Sequence, residues 1–61
     1  MIKINDTVID LEMTERYEAK VLCKVYKINK FGIFLTAIDK KYLAHYPHRF
    51  NFDELHKIGK V

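Results

Sequence analysis

Serine and tryptophan are missing from this chain, cysteine and proline occur once each, and glycine only twice. Each shortage closes off a class of protein. The lone Cys23 cannot form an intramolecular disulfide, which excludes a disulfide-stapled secreted scaffold and favours a reducing compartment. Without serine, and with Thr7, Thr14 and Thr36 in no recognised motif, a hydroxyl nucleophile has no support. Cys23 as a nucleophile would need an activating base, and no spacing places a histidine beside it. Gly32 and Gly59 stand too far apart for a glycine-rich phosphate loop. The apolar runs fall well short of the ~20 residues that span a bilayer. Residues 1–6 lack the apolar stretch of a signal peptide, so a cytoplasmic location is expected.

The 61 residues suffice for a single domain, 1–61. A domain of this size buries only about 60% of the surface its unfolded chain exposes. Such chains usually gain from a metal, a partner or self-association.

What is present can fold. Hydrophobic residues make up 49% and charged residues 31%, unlike a disordered chain. The net charge is +3, with eight acidic residues interspersed among eleven basic ones. That mild excess does not by itself announce a nucleic-acid binder. Nine of the basic residues are lysine, and Arg16 and Arg49 are the only arginines, which weighs against bidentate reading of guanine or phosphate. The abundance of Ile, Lys, Asn, Tyr and Phe fits an AT-rich genome, as in many phages and low-GC bacteria.

Periodicity suggests a mostly β chain. Residues 7–11 read as a first strand, after a turn at Asn5-Asp6 and a short extended piece at 2–4. Residues 12–16 are polar and read as a loop. Over residues 17–28, Tyr17, Ala19, Val21, Cys23 and Val25 alternate with Glu18, Lys20, Leu22, Lys24 and Tyr26, a face carrying the charges, as in a half-buried strand. A helical template also fits, since Met13, Tyr17, Val21, Val25 and Ile28 share one helix face and Thr14 could cap it. The β-branched and aromatic content favours the strand. Residues 29–32 make a turn. Residues 33–38 read as a strand buried on both sides, paired in a hairpin with residues 42–46. Pro47 ends that strand or confines it to an edge. Residues 51–57 read as a helical turn, with Asn51 as cap, Asp53 and Glu54 in the first turn, Lys57 in the last, and Phe52 and Leu55 burying one side. Residues 58–61 form a final extended stub.

Five strands with one helical turn before the last resemble, in topology, a small SH3-like barrel. The acidic and aromatic ligand motifs of true SH3 domains have no match. If 14–28 were a helix, the fold would instead be α+β, a three-stranded sheet with one helix across it.

No metal or other cofactor is expected. His45, His48, His56 and Cys23 do not show zinc-ligand spacing, and Cys23 falls in the apolar phase of its strand. Adjacent Asp53 and Glu54 are explained by the helix dipole. An enzyme is not expected, since a chain this short has little room for a pocket. The expected function is a non-catalytic interaction module that binds and modulates a protein partner, as a small phage-type or bacterial accessory protein would. Its expected contacts are Tyr26, Tyr46, His48, Arg49, Lys20, Lys24 and Lys27, around an apolar patch rimmed by lysines. The runner-up is nucleic-acid binding, to a single strand or a duplex backbone, by the same lysine and tyrosine face. A homodimer through an edge strand is a third reading. The three histidines could make any of these interfaces pH-sensitive.

Overall fold

The computed structural model describes residues 2–61. In chain order the elements are strand β1 (Thr7–Asp10), helix α1 (Leu11–Tyr17), β2 (Leu22–Asn29), β3 (Gly32–Ala37), a first 3₁₀ helix (Lys40–His45), β4 (His48–Phe50), a second 3₁₀ helix (Phe52–Lys57) and β5 (Ile58–Lys60). The strands form one antiparallel sheet in the order β4-β3-β2-β1-β5. The small β-rich SH3-like architecture expected from the sequence is therefore met, with a helical turn immediately before the last strand. The sheet is not closed: β4 and β5 are its two unpaired edges, so "barrel" overstates the curl.

Three segments differ from expectation, each for a local reason. Residues 12–16, expected as a loop, belong to α1. Asp10 caps that helix, its Oδ1 accepting the Met13 N–H at 3.2 Å, and Leu, Glu, Met and Arg are strong helix formers. The helix stops at Glu18, which takes a left-handed conformation (φ 53°). Both periods in 13–28 are therefore real but serve in succession: helical spacing holds to Tyr17, and the strand alternation starts at Val21. Thr14 does not cap. Its Oγ1 accepts the Val21 N–H at 3.0 Å and ties the end of α1 to the start of β2. The α+β alternative, with one helix over 14–28, does not form.

Residues 42–46, expected as the partner strand of 33–38, lie in the first 3₁₀ helix and its exit. Asp39 Oδ1 accepts the Lys41 N–H at 3.0 Å, and the Asp39 carbonyl accepts the Tyr42 N–H at 3.1 Å. This side-chain turn defeats the weak alternation that follows it. The strand paired with β3 is instead β4, which follows Pro47. Phe52 and Leu55 do not bury one side of the second 3₁₀ helix; they are 51% and 40% exposed, their shared face turned to solvent. Residues 2–4 form no strand; Lys3 and Asp6 close a turn around Asn5, with Asp6 Oδ2 accepting the Lys3 N–H at 2.8 Å.

The core comprises Val8, Met13, Val21, Cys23, Val25, Ile33, Leu35, Ala37, Tyr42 and Phe50. Alternate residues of β2 and β3 supply half of it, so β3 is buried on one face and not both. Among the described residues no helix is long and apolar enough to cross a membrane.

Candidate interaction face

Register decides which side chains share the outer surface of the β2–β3–β4 meander. Cys23 pairs with Ala37, Val25 with Leu35, and Ile33 with Phe50, and all six are buried. The intervening pairs therefore point away from the core. Lys24 stands opposite Thr36, Lys27 opposite Phe34, and Phe34 opposite Arg49. A bulge between Val25 and Lys27 inserts Tyr26 as an extra residue. Bulges re-aim side chains, and here Tyr26 and Lys27 both meet Phe34. The Tyr26 and Phe34 rings make an edge contact with centroids 6.2 Å apart, and the Lys27 ammonium lies 5.2 Å from the Phe34 centroid. Tyr26 is 42% exposed. A shallow depression of about 280 Å³ lies between Tyr26, Thr36 and Pro47.

The charge on this meander is of one sign. No aspartate or glutamate occurs from residue 19 to 38 or from 40 to 52. The acids sit in the turn before β1 (Asp6), in β1, in α1 and at its end, at Asp39, and in the second 3₁₀ helix. Lysines extend to the hairpin tip, where the Lys30 ammonium lies over exposed Phe31 at 5.2 Å.

Of the seven expected contacts, Lys24, Tyr26, Lys27 and Arg49 come together here. Lys20 lies exposed in the connection before β2. Tyr46 and His48 turn the other way. Tyr46 is half-buried, and its hydroxyl donates to Asp10 Oδ2 at 2.7 Å. His48 Nδ1 is 3.7 Å from the same oxygen, and its ring packs 4.3 Å from that of Phe50. Tyr46 is drawn onto Asp10 and His48 stands opposite buried Leu35, so neither joins the expected contact surface. Two members of the face were missed. Phe34 and Thr36 were absorbed into a run read as buried throughout, although their alternation with Ile33, Leu35 and Ala37 carried the signal.

Family models, curated proteins and solved structures give no match to this chain. The function has to be argued from the chain's own surfaces.

The second cluster is centred on Asp10, which is fully buried. Cys23 lies in the same neighbourhood. Burial pushes its thiol up, and the Asp10 charge adds to this, against hydrogen bonding that pulls it down. A thiol pushed up is held protonated and is a poor nucleophile. Burial, then donation to Asp10, likewise raises the Tyr46 hydroxyl. Among the described residues no group of three or more His, Cys, Asp or Glu is placed to hold a metal.

These shifts have a consequence for stability. An acid with a raised folded value keeps its proton when folded at a pH where the unfolded chain has lost it. Stability then falls as pH rises through that window. The ordinary values are 9.0 for a cysteine thiol and 10.0 for a tyrosine hydroxyl. Lys57, raised by its hydrogen bond to Glu54, works in the same direction. Stability is expected to be flat near neutrality and to decline above about pH 9, with a shallower decline in Tyr46→Phe. Urea midpoints measured across the alkaline range check this; parallel declines in the two proteins would exclude the Tyr46 contribution.

Proposed function

We propose that the protein is a non-catalytic interaction module that binds an anionic macromolecular partner through the outer face of β2, β3 and β4. The observation that carries this is the segregation of charge: Lys24, Lys27 and Arg49 surround Tyr26 and Phe34 on a face without a single acid. Opposite charge on a partner would be drawn to such a face, and wrong partners of like charge repelled. A modest +3 overall thus understates the local field.

A protein partner with an acidic surface is one reading, and it would make the module an accessory or regulatory protein of phage or bacterial type, acting in the cytoplasm. The depression between Tyr26, Thr36 and Pro47 supports it, being of a size to take one apolar side chain from the partner. Nucleic acid is the second reading, supported by the exposed rings among the lysines. Self-pairing through a sheet edge has less to build on, because both edge strands, β4 and β5, are three residues long.

The face can be tested without knowing the partner. The double variant Lys24→Glu/Arg49→Glu is expected to leave an immobilised polyanion such as heparin at much lower salt than the parent. Lys41→Glu/Lys60→Glu changes the net charge equally but outside the face, since Lys41 lies over the core ring of Tyr42 and Lys60 pairs with core residue Val8. It should shift elution far less. Equal shifts would mean that only total charge matters and would sink the proposal.

A further inference from the structure

We infer that the outer face of β2–β3–β4 takes single-stranded nucleic acid, with bases on Tyr26 and Phe34 and phosphates on Lys24, Lys27 and Arg49. This rests on that face being the binding surface, and it names the partner's chemistry.

Three observations separate a single strand from the other polyanions. The first is the rings themselves. Phosphate or carboxylate recognition needs cations but has no use for exposed aromatic faces, whereas every base has a face that stacks on one. Tyr26 is 42% exposed at a bulge in the middle of the sheet, with half-buried Phe34 beside it.

The second is spacing. Tyr26 and Phe34 stand 6.2 Å apart with their planes 62° from one another. A stacked strand advances only about 3.4 Å per nucleotide. These rings therefore match neighbouring bases that are spread apart and turned, as in an open single strand. A duplex keeps its base faces covered and offers this sheet only its backbone. Sheet surfaces that recognise RNA use such pairs of rings for two or three unstacked bases.

The third is the kind of cation. Lys27 already lies over Phe34, so a positive group and a ring share one spot. Its long side chain can swing to a phosphate as a base takes its place. Lysine acts as a mobile point charge, without the rigid fork that reads base edges. The face is therefore built to follow a backbone and stack bases with little preference for sequence. Lys30 and Phe31 at the hairpin tip repeat the same pairing and extend the path beyond β2 and β3.

Four fluorescent probes at low salt test this: an oligothymidylate of about ten nucleotides, an abasic sugar–phosphate strand of the same length, a duplex, and a polyglutamate peptide. The thymidylate is expected to bind roughly tenfold or more tightly than the abasic strand, with Tyr26→Ala and Phe34→Ala each removing most of that advantage. Neither change should alter abasic binding, and Tyr26→Trp should preserve or strengthen thymidylate binding. Both positions lie outside the core, and far-UV circular dichroism would verify the fold of each variant. Equal binding of thymidylate and abasic strand, or tighter binding of duplex or polyglutamate, would overturn the inference. If that binding were lost in Lys24→Glu/Arg49→Glu, the broader proposal would stand. Failure to bind any of the four probes would overturn both.

Discussion

Replacing Gly32 with alanine is expected to destabilise the protein by about 3 kcal/mol, while the same change at Gly59 costs well under 1 kcal/mol. Gly32 ends the β2–β3 turn with φ +136°, a conformation that residues with a side chain rarely adopt. A Cβ there would also run into the Phe50 carbonyl, which is backbone and has nowhere to go. Gly32 pairs with Asn29 at the closed end of the hairpin, and Phe50 pairs with Ile33 next to it. Relief of the clash would push β4 away from β3 and shift Arg49 relative to Phe34. The effect on the interaction face should therefore accompany the effect on stability. At Gly59 the obstruction is different in kind. The nearest atom to an added Cβ is Leu11 Cδ2 at 2.9 Å, the free end of a side chain that is 40% exposed and able to rotate. Denaturant unfolding of the two variants makes the comparison. Similar losses at both positions would show that neither the positive φ of Gly32 nor the Phe50 carbonyl sets the cost.

The same two positions show what could be read from sequence. Gly32 beside Asn29 and Lys30 announced a turn, and the flanking alternation of Val21, Cys23 and Val25 announced a half-buried strand. Those are local signals, and the hairpin they imply is present. The number of strands also followed, although the fourth lies at His48–Phe50 and not at 42–46. What stayed hidden was governed by single side chains bonding to backbone. Asp10 and Asp39 each start a helical turn by accepting an N–H two or three residues on. Their effect overrode the polar look of 12–16 and the alternation of 42–46. With residues 40–45 coiled, Tyr46 reaches Asp10, and in β4 His48 stands opposite buried Leu35, so both leave the outer face. Lys24, Tyr26 and Lys27 lie on the face because β2 was phased correctly, or nearly so, and Arg49 joins them because β4 pairs it with outward-facing Phe34. The bulge at Tyr26 had no sequence signal at all. It is known from the register shift alone, yet it sets the spacing of the two rings.

Asp10→Ala is expected to cost about 3 kcal/mol, a large share of the roughly 3–9 kcal/mol available to a chain of this length. Nothing in the composition singled this residue out, yet it is the fully buried polar side chain that joins three elements. Its Oδ1 caps α1 through the Met13 N–H, worth about 1 kcal/mol. Its Oδ2 takes the Tyr46 hydroxyl at 2.7 Å across 36 residues of chain, a bond to a charged group worth about 1.5–3 kcal/mol. Burying a carboxylate is costly in itself, so apolar replacement of a buried pair is often neutral or better. That offset does not rescue Asp10→Ala, because the Tyr46 hydroxyl would be left half-buried without its acceptor. The distinction can be measured. Tyr46→Phe alone should destabilise by about 1 kcal/mol or more, but should cost little once Asp10 is already alanine. A cycle over the two positions is expected to give a coupling of at least about 1 kcal/mol. Additive losses would mean that the two residues act separately, with Asp10 serving only as the cap of α1. Because this bond holds the segment before β4 against β1, the coupling measures how firmly the outer face is mounted on the rest of the sheet.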